Sequence, residues 1–386
     1  MWTVERIDNA AGFDTIRDDW DRLASANRMR SIVWCQNWWA CFASRYIPYV
    51  LVVRNELGIQ GIFPLALDNS TLRGRRLILI GSGRACGDDL GILAACGAEE
   101  KVASELSNWL ANANGKDTWD CLDLDGIQPS NRVIAEFQQQ LRSVHQIDFE
   151  VKPSESCWAI EISGGWEQVL TSMSKRMRRL VKNSMMTDYI ETGRARLKVA
   201  ESIEEARSML KTTAGFHQAR WNERNIKGCF VVDGFNDFLV SLIEHWLPTG
   251  IAYVAMLELD GKPAAGVFGF WGPQELSLYL VGMDNEVQEH RPGWLLSIES
   301  IRLAIRSGKQ RVNLLRGDEE YKSRLGAAPT VQQRWIASSP RLLPRLRGAA
   351  LRKGIEVRDW FRSPKHSHAK AAGPVASSPS STDANT

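Results

Sequence analysis

An order of strand, turn, strand, strand, helix, strand occurs once in each half of this chain, and no other feature narrows its fold as much. In the first half, PYVLVVRNELGIQGIFPLALDN (48–69) reads as two strands about a Gly turn, and LRGRRLILIG (72–81) as a third. CGAEEKVASELSNWLANANG (96–115) has helical spacing, with Val102, Leu106, Trp109, Leu110 and Ala113 on one face and Gly115 as the expected C-cap. DTWDCLDLDGI (117–127) alternates apolar residues with acids, as a short strand does. In the second half, GIAYVAMLELDGKPAAGVFGFWG (250–272) is again strand, turn, strand, now about the strong hairpin pair Asp-Gly. ELSLYLVGMD (275–284) is the next strand, GWLLSIESIRLAIRSGKQ (293–310) a helix with Trp294, Ile298, Ile301 and Ile305 on one face, and RVNLLRG (311–317) the closing strand. Such a repeat implies one duplicated α/β unit, each copy a mixed β-sheet flanked by helices.

Further helices are expected at 12–26, 34–46, 204–221 and 236–247, and a long basic helix followed by a strand over 172–200. The chain then divides into a first unit (1–155), a second unit (156–338), a basic amphipathic helix (339–362) and a Ser/Ala/Pro-rich tail (363–386) expected to be disordered.

Composition excludes several classes. A net charge of +3 is too small to announce a nucleic-acid face. Seven cysteines without a C-x-x-C, and six histidines without an H-x-x-x-H, signal neither a metal site nor a redox pair. The start, MWTVERIDNAAGF, carries acids and no apolar run, and no stretch has the roughly 18 apolar residues that span a membrane, so a cytosolic, reduced, soluble protein is expected. Fifteen tryptophans suit large aromatic cores first and ring-stacking surfaces second.

Two stretches carry the chemistry. Gly282-Met283-Asp284 ends a strand, NEVQEHRPG follows, and a helix opens at Gly293 or Trp294; the free amides and dipole of a helix start favour a phosphate. The other reading is a plain crossover loop. LLRGDEEYKSRLGA (314–327) follows the closing strand and empties six ionisable side chains beside that loop, where open α/β sheets bind ligands.

These residues resemble the GNAT-superfamily acyltransferases of the CelD/BcsL type, found near cellulose or exopolysaccharide genes. The resemblance runs over about 30–340 and rests on YVLVVRNELGIQGIFPL, TWDCLDLDGI, SMSKRMRRLVKNS, LDGKPAAGVFGF, YLVGMDNEVQEHRPGWLL and LLRGDEEYKSRLG. It extends to the Fem-type aminoacyltransferases, which have two GNAT-like domains and a similar basic stretch. It implies two tandem GNAT-like domains, the first degenerate, and transfer of an acyl group, acetyl above all, from acyl-CoA to an amine on a small molecule or carrier, without a metal. QEHRPGWLL departs from the family's pyrophosphate turn by keeping only Arg291 and Gly293 and putting Trp294 where a small residue stands.

In that frame Gly282, Met283, Asp284, Arg291, Gly293 and Trp294 hold the donor. Tyr321 is the leaving-group acid, and Asp318 or Glu319 takes the amine proton, directly or through water. Arg316, Lys322 and Arg176 hold an anionic group, and His217 and Trp221 touch the acceptor. The plainer readings are an Arg316–Asp318 ion pair, Asp284 as a loop cap, a solvated basic helix, and packing for His217 and Trp221. Rival functions are an aminoacyl-tRNA-dependent transferase and a non-catalytic binding protein of polysaccharide-synthesis machinery. For 340–362 a membrane or partner surface competes with a terminal helix packed on the second unit.

Overall fold

The computed structural model describes residues 1–24, 27–70, 74–223 and 225–340, with the side chains of 69 and 70 left aside. The expected amphipathic helix, beyond its first two positions, and the expected disordered tail lie outside the described residues.

Its strands are β1 (Thr3–Ile7), β2 (Tyr46–Asn55), β3 (Gly58–Ser70), β4 (Gly74–Leu79), β5 (Leu93–Ala94), β6 (Cys121–Ile127), β7 (Phe149–Glu161), β8 (Ala195–Val199), β9 (Ala252–Leu259), β10 (Lys262–Trp271), β11 (Glu275–Met283), β12 (Arg311–Arg316) and β13 (Ala328–Ser338). The helices are α1 (Arg17–Ala24), α2 (Ile32–Phe42), α3 (Glu99–Asn112), α4 (Arg132–His145), α5 (Gly165–Ser172), α6 (Lys175–Leu180), α7 (Ile203–Glu223), α8 (Phe235–Trp246), α9 (Pro292–Arg306) and α10 (Glu320–Arg324).

The repeat is present and is built as expected. β2–β3 and β9–β10 are antiparallel hairpins. At the second, Asp260 (φ +50°) and Gly261 (φ +82°) both take left-handed backbone, the primed turn that matches strand twist. In each half the next strand is joined to a parallel partner, β4 to β6 and β11 to β12, across the helices α3 and α9. Gly115 does not close α3, which ends at Asn112; its positive φ serves the turn that follows.

The sheet order is β1-β2-β3-β4-β6-β13-β7-β12-β11-β10-β9-β8, with β5 beside β3. This order reads the same from both ends once the two copies are matched, but the last strands have changed places. β7, the sixth main strand of the first copy, pairs with β12 of the second; β13, the sixth of the second, pairs with β6 of the first; and the two pair with each other. A boundary at 155 therefore divides the chain inside β7 and not the sheet. The expected long basic helix is α6 followed by a π-helical stretch, Val181–Ile190.

The larger buried cluster joins the halves: Trp34 of α2 meets Phe238 and Trp246 of α8 and Tyr279 of β11, with ring centroids 4.9, 6.1 and 5.6 Å away. Trp20, Trp34, Trp38, Trp119 and Trp246 are among the largest fully buried side chains, so core packing takes much of the tryptophan load. A second cluster sits between the sheet and α9. No helix among the described residues is long and apolar enough to cross a membrane.

Candidate functional site

β11 and β12 are bridged only from Glu275–Ser277 to Arg311–Asn313, although both run on. Beyond that root their facing edges are not bridged to each other. Each also bulges there. In β11 the register against β10 passes from Leu278 to Leu280 and leaves Tyr279 unpaired; in β12 the register against β7 passes over Leu314. Bulges re-aim a strand's groups, and they gather beside active sites. The facing edges therefore keep backbone N–H groups that are not bridged to each other, the kind of donor that can polarise a carbonyl.

At the far end of β11 lies a cleft of about 680 Å³. Arg291, at φ +56°, turns the chain into α9, with Pro292 in its first turn. Arg176 and Arg179 come from α6, Asn183 and Ser184 from the π-helical stretch, and Trp294 and Arg324 from the other side. Among the described residues no carboxylate pairs with Arg176, Arg179 or Arg291, whereas Arg324 pairs with Glu320. Arg178 is spent locally, donating to the carbonyls of Leu170, Thr171 and Met173. Three unpaired guanidinium groups at a helix start make an anion site.

The residues expected to hold a donor are thus split. Arg291 and Trp294 line this cleft together with Arg176. Gly293 faces Met283, whose sulfur lies 3.1 Å from where a Cβ would stand. Asp284 accepts from the Glu286 amide at 2.9 Å, which is the loop-cap reading. Gly282 is buried under α7: a Cβ there would come within 2.2 Å of the Thr213 carbonyl oxygen, so its role is close packing.

The stretch after β12 is short of free charge. Lys322 is 2% exposed, and its Nζ donates to the carbonyls of Leu315, Arg316 and Gly317 at 3.1, 2.8 and 3.1 Å, with Glu319 at 3.0 Å. It ties down the end of β12 and is not placed to hold a ligand's charge. Arg316 is likewise committed, donating from Nε to Asp88 at 2.5 Å and from Nη2 to the Gly87 carbonyl at 3.0 Å. Its partner is therefore Asp88 of the first unit, and not Asp318. Asp318 is exposed and accepts from the Trp158 indole at 3.3 Å. Tyr321 packs edge-on, at 6.3 Å, to Trp294, which lines the arginine cleft. Burial, with Glu319 nearby, pushes its phenol well above the ordinary range and keeps its proton on.

His217 and Trp221 form a local pair, the indole donating to His217 Nε2 at 2.9 Å. Burial, and then Arg220, bring the imidazole down to about 4, so it is neutral near pH 7. Both sit on α7 where β11 packs, which favours the packing reading. Sequence reasoning missed the contribution of the first unit's loop after β4: Ala85 accepts from the Tyr279 hydroxyl at 2.6 Å, and Asp88 holds Arg316. Its glycine-rich sequence, GSGRACGDDLG, was the available signal.

Residues 174–323 match a family model described as Acetyltransferase (GNAT) domain. No curated protein matches the chain. In fold it is similar to FemX, at 8% identity and TM-score 0.61, over 83% of this chain and 95% of that one. It is also similar to a conserved protein of unknown function from Bacteroides thetaiotaomicron, at 11% identity and TM-score 0.54, over 87% and 100%. The arginine cleft apart from Arg324, the bulged and part-bridged strands and Tyr321 fall within the matched span, and the chain carries there an acyltransferase domain of the GNAT kind.

Proposed function

We propose that the second unit moves an acyl group, acetyl above all, from a CoA-type thioester to a primary amine. The observation that carries this reading is the unbridged gap between β11 and β12, bulged at Tyr279 and opening toward unpaired arginines at the start of α9. Arg176, Arg179 and Arg291 take the donor's phosphates, and the gap takes the chain that ends in the thioester. The neutral amine attacks the carbonyl carbon, and a backbone N–H of β11 receives the developing oxyanion. Collapse breaks the C–S bond. Tyr321 supplies the proton to the thiolate, and Asp318, exposed and bound among the described residues by an indole, takes the one released by the amine, directly or through water. Glu319 is the weaker candidate because Lys322 holds it.

Two finer parts belong to the same proposal: the CelD/BcsL type, with a place beside exopolysaccharide synthesis, and a cytoplasmic site of action. The type rests on the sequence motifs, and the site of action on composition, seven cysteines without a C-x-x-C among it. Aminoacyl-tRNA as donor is the second reading, favoured by the FemX-like fold and by a cleft with four arginines. Mass spectrometry of the purified chain with amines and either acetyl-CoA, an acyl-carrier protein or aminoacyl-tRNA tests both. Acyl-amine product with acetyl-CoA alone is the expected result; product only with aminoacyl-tRNA selects the second reading, and none with any donor removes both.

A further inference from the structure

The loop that follows β4, Gly81 to Gly91, reaches out of the first unit and holds both walls of the gap between β11 and β12. Tyr279, two residues beyond the last bridge on β11, donates from its hydroxyl to the Ala85 carbonyl at 2.6 Å. Arg316, three residues beyond it on β12, donates to the Asp88 carboxylate from its backbone amide at 3.1 Å and from Nε at 2.5 Å. Its Nη2 adds a bond to the Gly87 carbonyl at 3.0 Å. Asp88 is 4% exposed, so these are buried, charge-assisted bonds, the strong kind. Ala85 and Asp88 are three residues apart, so the backbone between the two holds spans at most about 11 Å.

The loop is itself fixed at both ends. The Trp38 indole donates to the Ser82 carbonyl at 2.9 Å, and the Gly87 amide closes the loop on the Gly81 carbonyl at 3.1 Å. Past Asp88, Asn27 donates to the Asp89 carbonyl at 3.1 Å, and Arg30 pairs with the Asp89 carboxylate at 2.5 Å. In the first unit the same loop occupies the matching slot. There β4 and β6 are bridged only from Arg76–Ile78 to Cys121–Asp123. Beyond that root the Leu90 amide donates to the Gly126 carbonyl of β6 at 3.0 Å, and a Cβ on Gly126 would stand 2.7 Å from the Gly87 carbonyl oxygen. One segment thus fills the slot of its own unit and ties together the two strands that flank the other unit's gap.

We propose that this loop sets the width of the β11–β12 gap, with Asp88 and Tyr279 as positioning residues for the second unit's transfer. Its effect on rate rests on the acyl-transfer reading, and its effect on the strands does not. A misplacement of about 1 Å between reacting groups can cost about 10²-fold in rate. Tyr279→Phe keeps the ring and removes the bond to Ala85. Asp88→Asn keeps an oxygen for the Arg316 amide and removes the charge; Tyr279→Phe carries the test alone should that variant fail to fold. Hydrogen-exchange mass spectrometry of the full chain reads the strands, and steady-state kinetics with whichever donor gives product reads the reaction. In each variant, peptides over 278–283 and 314–318 should exchange at least about fivefold faster, with those of β9 and α9 within about twofold. Turnover should fall about ten- to hundredfold, with donor Kd within about threefold. The proposal is overturned if the gap peptides keep their wild-type exchange, if β9 and α9 loosen as much, if kcat stays within threefold, or if the loss falls on donor Kd instead. If the wild-type chain forms product with no donor, the transfer reading fails and exchange alone decides: selective loosening of the gap peptides upholds the loop's role, and its lack overturns it.

Discussion

Lys322→Met separates two roles for the one buried lysine of the opening after β12. In the structure its ammonium satisfies three backbone carbonyls, and its pairing with Glu319 reaches a carboxylate that is half exposed. Methionine fills the channel and leaves those carbonyls without a donor. A buried acceptor left unsatisfied costs about 1–3 kcal/mol, and water reaches the two outer ones, so a loss of about 3 kcal/mol is expected. Little of it comes from the ion pair, which solvent screens. At about 2.1 cal/mol/K per residue, unfolding a chain of 386 residues carries about 0.8 kcal/mol/K, so Tm should fall by about 4 °C if the sheet melts as one unit. Scanning calorimetry and urea titration read the stability, and titration with donor at low and high salt reads binding. An unchanged Tm, with a donor Kd raised tenfold at low salt and restored at high salt, would refute the structural role and return Lys322 to the ligand.

Tyr321→Phe should lower turnover by about 10² to 10⁴ while leaving donor affinity near its starting value. Because burial raises that phenol, an alkaline limb in wild-type kcat caused by its ionisation should lie above pH 10, and the Phe variant should lack it. Gly293→Asp should weaken the donor at least tenfold, about 1.4 kcal/mol, with the circular dichroism spectrum kept, since only Met283 stands near the new Cβ. His217 is held neutral with its pKa brought from 6.5 to about 4, so the unfolded chain takes up its proton first. Stability should therefore fall as pH drops from about 6.5 to about 4, and His217→Gln should flatten that part of a urea-midpoint profile.

What was legible in the sequence was local. The Asp260-Gly261 turn, the one-sided apolar stripe of α9 and the alternation in β6 each leave a periodic trace, and together they disclosed the duplication. β7, α4 and β13 were missed. FEVKPSESCWAIE interrupts its alternation with Pro153 and serines, and APTVQQRWIAS is polar through its middle; both are strands because neighbours from the other copy bridge them. Their stability lies in pairings that no local window contains. The site was legible in the same uneven way. The arginines of α6 and Arg291 announce themselves by charge, but that Arg316 belongs to Asp88 depends on a contact across 228 residues. That Lys322 is a buried tie depends on the turn of Leu315 at φ +55°, which curls three carbonyls around one ammonium.

The exchange of β7 and β13 bears on how such a chain can be taken apart and how it came to be assembled. Neither half owns all the strands of its own sheet. Expressed alone, residues 1–155 would present β6 without its neighbour β13, and the remainder would present β13 without β6 and without the first half of β7, each a bare edge open to pairing with another chain. A single ancestral copy of the unit would close its sheet in this arrangement only by trading its last strand with a second copy. Duplication and fusion then convert that swapped dimer into one polypeptide, and the trade, once a matter of concentration, becomes a fixed property of the chain.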